Sequence, residues 1–254
     1  MLAPLVEDWT YQEHYDMEDR HWWFRSRRRV LWALVERAGV GPSPRILDAG
    51  CGTGRNMVEF SRLGPAEGVD LSPQAVEFCH RRGLSGVREA AIEQLPYEDG
   101  RFDLLLATDV IEHLQDEGPA LEELRRVCAP DGRLIVTVPA YNWLWSRHDT
   151  SWHHFRRYTR RRLLETARGH GWEPILSTYF YSSMLPPVAV VRTVQRLRDS
   201  ASTNGNGDGR SDLHLSPSAL DRWLELPVRA EARLIERGAS LPAGVSVGMV
   251  CMRR

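Results

Sequence analysis

The sequence predicts an α/β protein: a doubly wound, seven-stranded, mostly parallel sheet with an N-terminal helical lid and a helical insertion before the last strand. Three observations carry that prediction. Strand-like and helix-like patterns alternate along the chain, as βαβ units require. The apolar strand Ile46-Leu47-Asp48-Ala49 runs straight into glycines at 50, 52 and 54, the kind of turn that opens a ligand site at the carboxyl end of a strand. The 254 residues, 42% apolar and 26% charged, suffice for one large core and leave little room for a second domain.

Residues 1–44 are expected to form the lid. Within them 5–40 reads as helical, with Trp32, Leu34 and Val35 apolar near its end and Gly39 and Gly41 as stop signals. A core over 45–182 follows. Its strands are expected near 45–49, 66–70, 87–90, 103–108, 133–139 and 173–180, and its helices near 54–63, 73–83, 117–128 and 160–170. The insertion spans 183–243. Its middle, 199–216, is polar and glycine-rich with almost nothing to bury and predicts a mobile loop. The loop joins two helices, the second placing Leu220, Trp223, Leu224, Val228, Ala232 and Leu234 near one face before Gly238. Residues 244–254, with a strand at 245–252, close the chain, and no internal repeat is found.

A net charge of −1 argues against a nucleic-acid partner recruited by bulk charge. Cys51, Cys79, Cys128 and Cys251 lie far apart with no C-x-x-C spacing, which predicts neither a zinc site nor a disulfide framework and favours a reducing, cytoplasmic setting. A signal peptide is not expected, because Met1-Leu2-Ala3-Pro4 is followed quickly by Glu7 and Asp8. No run reaches the ~18 apolar residues of a membrane span.

Glycines at alternate positions permit φ > 0 and remove the Cβ atoms that would hold a ligand away, while the next helix offers unpaired N–H groups at its start. The G-x-G-x-G spacing differs from the dinucleotide pattern G-x-G-x-x-G. A second strand, Gly68-Val69-Asp70, ends in an acid 16 residues after Gly54, close to the ~20-residue offset at which an acid meets ribose hydroxyls. The ligand implied carries an adenosine-type ribose.

The glycine stretch resembles motif I of class I S-adenosylmethionine-dependent methyltransferases, of the type 11-like branch, and Gly68-Val69-Asp70-Leu71-Ser72 resembles the acidic loop that follows it. The resemblance runs from about Asp48 to about Gly171. Ile92-Glu93-Gln94-Leu95-Pro96-Tyr97 is similar to the adenine-contacting loop, and Val110-Ile111-Glu112-His113-Leu114 to the segment after strand four. Ala91 stands where many relatives carry an acid, so adenine recognition is expected from the backbone around Ile92 and apolar packing. The resemblance implies S-adenosylmethionine as cofactor, with Asp70 on the ribose and Leu71 and Ile92 beside the adenine. Asp48, Gly50, Cys51, Gly52, Gly54 and Asn56 surround the methionine end, and Thr108 and Asp109 end strand four near the methionine moiety or the acceptor. Asp48 has a second reading, as a brace bonding backbone N–H groups of the glycine loop.

Methyl transfer from a sulfonium is an in-line displacement already activated by the cofactor, so the protein supplies orientation, desolvation and, for a hydroxyl or ammonium acceptor, a base. His113, His148 and His153 are the candidates. His113 either faces the methyl group or supports the glycine loop. His148, His153 and His154 lie after the fifth strand, where a loop overhangs the cofactor; His148 or His153 serves substrate contact or base catalysis, and in the other reading His154 and Arg157 fix that loop. The spacing of these histidines beside Asp149 matches no familiar ligand set, and no metal is expected.

In His21-Trp22-Trp23-Phe24-Arg25 the aromatics resemble a lid segment over the cofactor, with Trp23 and Phe24 as lid residues and Arg25 for a cofactor or acceptor carboxylate; plain helix packing is the other reading. Residues 184–198 combine an apolar run with three arginines and suit a membrane surface, an acceptor-pocket cap or a subunit contact. The expected activity is methyl transfer to oxygen or nitrogen of a small-molecule or lipid-linked acceptor by a cytoplasmic monomer or homodimer, in peripheral contact with a membrane through 184–198 where that reading holds. The rivals are a non-catalytic module binding the cofactor or a partner, and a nicotinamide-dependent reductase.

Overall fold

The computed structural model describes residues 8–201 and 221–254, with the side chains of 8–10, 148 and 198–201 outside that description. Two helices, α1 (Asp8–Met17) and α2 (Trp22–Ala38), precede the sheet. The helical stretch expected over 5–40 is two helices with a break at 18–21. His21 takes an extended backbone and its side chain accepts the Trp23 N–H at 3.3 Å, a cap that starts a second helix rather than continuing the first. Gly39, at φ 63°, ends α2 in the left-handed region.

The chain then alternates β1 (Ile46–Ala49), α3 (Arg55–Phe60), β2 (Ala66–Asp70), α4 (Pro73–Arg81), β3 (Val87–Glu89), β4 (Phe102–Thr108), α5 (Gly118–Val127) and β5 (Cys128–Pro139). After it come α6 (Arg147–Ser151), α7 (Arg160–Gly169), β6 (Trp172–Phe180), α8 (Leu185–Ala201), α9 (Asp221–Glu236) and β7 (Ser246–Arg253). The sheet runs β3-β2-β1-β4-β5-β7-β6. The pairs among β1 to β5 are parallel, and β7 is antiparallel to both β5 and β6.

β5 begins five residues earlier than the sequence pattern suggests. Its register against β4 jumps from Phe102↔Cys128 to Leu104↔Arg133, so the Pro130-Asp131-Gly132 turn is carried inside the strand as an irregularity. Residues 199–201 continue α8, while the rest of the loop expected at 199–216, and Leu220, lie outside the described residues. On α9, Val228, Ala232 and Ile235 are buried, whereas Trp223 is 70% exposed and Leu234 46%.

β4 shows how the sheet divides the core. Leu105 and Ala107 face one layer with Leu121 and Leu124 of α5, and Leu104 and Leu106 face the other with Leu34 of α2 and Ile235 of α9, the period-2 alternation of a strand covered on both sides. Strand order reverses where β1 lies beside β4, and the carboxyl ends of those two strands open the crevice in which such sheets bind ligands. No described helix is long and apolar enough to cross a membrane.

Candidate functional site

The glycine loop joins β1 to α3. Gly50 and Cys51 both donate their N–H groups to Val69 O, at 2.8 and 2.9 Å, folding the loop over the end of β2. The three glycines then do different work. A Cβ on Gly50 would strike Val110, and one on Gly54 would strike Leu84 and Cys79, but one on Gly52 would meet nothing within 4 Å. Only Gly52 keeps space open for a ligand. Gly54, expected at the ligand's methionine end, instead lets α3 pack against α4 and does not line the cavity.

Asp70, at the end of β2, braces this loop: one carboxylate oxygen accepts the Gly52 N–H at 2.8 Å and the other the Ser72 N–H at 2.9 Å. The carboxylate keeps lone-pair capacity for a ribose hydroxyl. Burial raises the Asp70 pKa, and these backbone N–H groups oppose the rise. The bracing role read for Asp48 is not what the structure shows. Asp48 is wholly buried, neither of its carboxylate oxygens has a hydrogen-bond partner, and it does not line the cavity. Burial pushes its pKa up to about 7, against the attraction of Arg27 and with repulsion from Asp70.

A cavity of about 620 Å³ lies over the carboxyl ends of β1, β2 and β4, well within the range of small-molecule sites. Cys51, Gly52, Asn56 and Asp70 line one end, and Leu71, Ala91, Ile92 and Glu93 give that end an apolar wall with one acid. Thr108 receives the Asn56 Nδ2–H at 3.3 Å. Asp109 sits at φ 55° where β4 ends, a positive φ that Asp adopts more readily than most residues. It is held there by Arg27 at 2.5 Å and by the Thr137 hydroxyl at 3.1 Å.

Beyond Asp109 the wall is polar. His113 packs edge-on against His154, ring centroids 4.6 Å apart, and both line the cavity with the buried Glu112. His154 Nδ1 lies 2.9 Å from Asp149 Oδ1, and Arg157 donates to both oxygens of the same carboxylate at 2.7 and 2.9 Å. Burial disfavours the charged form of Asp149, yet His154 and Arg157 outweigh it and hold this carboxyl well below the usual range. An ionised Asp149 accepts only, so the His154 Nδ1 facing it donates. Glu112 stands at the opposite extreme: burial drives its pKa well up, and Asp109 adds to the effect.

The remaining expectations divide. Trp23 lines the cavity and stacks on Tyr181 at 4.1 Å. Arg25 is turned elsewhere, because the buried Glu225 of α9 captures it together with Arg29 and Arg229; Arg27 takes the place at the cavity. His153 follows α6 at φ 55° and is absent from the cavity wall, so the structure gives no support to it as a base. His148 lies on α6, its side chain outside the described residues.

Sequence reasoning passed over the roof of the cavity. Tyr11, His14 and Glu18 line it from α1 and the turn after it. Buried Glu18 accepts the Thr53 hydroxyl at 2.6 Å and an Arg82 N–H, fastening the roof to the glycine loop. Glu112 was also passed over, although an acid after the apolar pair Val110-Ile111 is a signal that a sequence reader can find.

Residues 47–136 match the family model described as a methyltransferase domain. A ubiquinone biosynthesis O-methyltransferase of Caulobacter is 38% identical over 122 residues, 44% of this chain and 48% of the relative. A ubiquinone/menaquinone biosynthesis C-methyltransferase of Citrifermentans bemidjiense is 27% identical over 148 residues, 52% of this chain and 63% of the relative. Less than two thirds of either relative is thus spanned. A solved structure of an S-adenosylmethionine-dependent methyltransferase from Thermotoga maritima superposes with a TM-score of 0.58 at 18% identity, over 98% of this chain and all of that one. The open space at Gly52 and the free lone pairs of Asp70 fit a ligand carrying a ribose diol.

Proposed function

From a chain whose residues 47–136 match a methyltransferase-domain model, we propose S-adenosylmethionine-dependent methyl transfer to oxygen or nitrogen of a small-molecule or lipid-linked acceptor. One observation carries the reading. The cavity that begins at Gly52 and Asp70 continues without a partition past His113 and His154 to Met184, Pro187, Val188 and Val191 of α8 and its approach, and Leu224 of α9. A polar reactive head and an apolar body are accommodated in sequence.

The cofactor supplies an activated methyl group on a sulfonium. Asp70 holds ribose hydroxyls by charge-assisted bonds, and Gly52 lets the ligand lie against backbone. Asn56, Thr108 and Asp109 form the floor beneath the transfer, and the acceptor's polar atom rests against His113 and His154. Tyr11, His14 and Trp23 close over the cavity and exclude water.

The apolar end opens beside exposed Val190, Val194 and Leu197 of α8, with Arg192 and Arg196 on the same helix. That combination supports an acceptor presented at an anionic lipid surface, in a reducing cytoplasmic setting in which the four buried cysteines stay free thiols.

The test is binding and thermal unfolding with S-adenosylhomocysteine and, separately, NADH. S-adenosylhomocysteine should raise Tm and NADH should not. Asp70→Ala should weaken binding of the former by about 1.5–3 kcal/mol in calorimetry. Protection by NADH instead, or unchanged affinity in the variant, refutes the reading.

A further inference from the structure

Glu112 presents an unpartnered buried carboxyl. It is wholly buried, and neither carboxylate oxygen has a hydrogen-bond partner. An ionised carboxylate in that position is costly unless a cation compensates it. The nearby arginines are committed elsewhere: Arg27 pairs with Asp109, and Arg157 forks onto Asp149.

What stands beside Glu112 is a pair of imidazoles. One ligand-capable atom from each of Glu112, His113 and His154 lies within 4.8 Å of the other two. His154 is already arranged as a metal-binding histidine is: its Nδ1–H is donated to Asp149, which fixes the ring and makes Nε2 the basic nitrogen, the carboxylate–histidine pairing that orients ligands at metal sites. Asp149 is in turn fixed by Arg157 and by the Ser146 N–H at 2.8 Å. Glu112 is also placed by its backbone, since its carbonyl accepts the Phe155 N–H at 2.8 Å and ties the segment after β4 to the histidine loop.

We propose that Glu112, His113 and His154 bind a divalent transition-metal ion of zinc's class at the acceptor end of the cavity. Two imidazoles and one carboxylate form the donor set of catalytic zinc sites and leave a coordination position open. Hard ions such as magnesium prefer all-oxygen sets. Ligands about 2.0–2.2 Å from zinc lie about 3.4 Å from one another, so the three side chains close in by roughly an ångström.

The role of the ion, unlike its binding, rests on the methyl-transfer reading. An acceptor hydroxyl that reaches the open position before the cavity closes loses its proton to solvent more readily. The oxygen's freed pair then forms the O–CH3 bond, and the C–S pair departs with sulfur as a neutral thioether.

Tag-free, metal-stripped protein should be titrated with Co2+, followed by its visible d–d bands, and with Zn2+ in competition. Uptake of one equivalent of Co2+ per chain, displaced by Zn2+, is expected. Glu112→Gln and His154→Gln should each abolish it. Asp149→Asn should weaken it by about 10–100-fold, as loss of an orienting carboxylate does. Failure to take up Co2+, or uptake unchanged in both ligand variants, overturns the proposal. Thermal unfolding of each variant checks its fold, and if Glu112→Gln does not fold, His154→Gln decides. S-adenosylhomocysteine affinity is measured on the same samples. Cofactor binding without metal uptake sinks the metal site alone, and metal uptake without cofactor binding sinks the methyl-transfer reading alone.

Discussion

Asp48 is the residue at which burial has the most direct thermodynamic consequence. Between about pH 4 and pH 7 an unfolded chain has released this proton, while the folded chain, its carboxyl pushed up to about 7, still holds it. Stability therefore falls as pH rises across that window and levels off above it. A shift of about three units corresponds to about 4 kcal/mol as an upper figure. Urea unfolding of Asp48→Asn at pH 4.5 and pH 8 should show a much smaller loss than the parent chain, and parallel losses would contradict the account. The neighbouring Asp70 is equally acidic in sequence but is met by two backbone N–H groups. The motif identified both acids. It did not separate them, because which one receives those N–H groups depends on the path of the loop between β1 and β2.

The elements show where long-range pairing outruns sequence reading. The strands of the core were legible because β4 alternates two layers of apolar side chains and because glycines and prolines punctuate the connections. Arg25 was misread for the opposite reason: its partner Glu225 lies on α9, 200 positions away, and nothing in either segment points to the other. Glu225 is fully buried and bridges Arg25 and Arg29 of α2 to Arg229 of its own helix. Removing it leaves three arginines facing one another between two packed helices. Glu225→Ala should lower unfolding free energy by about 3 kcal/mol in chemical denaturation, with cofactor affinity unchanged because the cluster does not line the cavity's nucleotide end. A variant as stable as the parent would show that the arginines satisfy themselves in solvent.

At the scale of the whole molecule, the cofactor end is built from sheet and glycine loop, whereas the acceptor end is assembled from α1, the histidine loop, α8 and α9. The first part was readable as a motif. The second was not, since its residues come from four distant segments that meet only in the folded chain. Its outer surface carries Val190, Val194, Leu197 and Trp223, each at least 40% exposed. If that surface meets lipid, the protein should co-sediment with anionic liposomes and be released as salt is raised. Replacing Val194 and Leu197 by Ser should reduce the bound fraction without changing S-adenosylhomocysteine affinity. A protein that stays in the supernatant at low salt would remove the membrane reading and leave a soluble acceptor.

β7 lies between β5 and β6, and β6 is an edge strand whose sheet partner is β7. In time rather than in space, this arrangement leaves a debt. During synthesis from the N-terminus, β6 emerges while α8, α9 and β7 are still to come, so its hydrogen-bonding edge waits for a strand not yet made. The nucleotide-binding half can take shape early, but the sheet closes only once β7 has been made. Nascent chains stalled within α8 or α9 should expose an unpaired strand, be held by chaperones and be degraded when released, whereas substitutions within the glycine loop would leave that vulnerability unaltered.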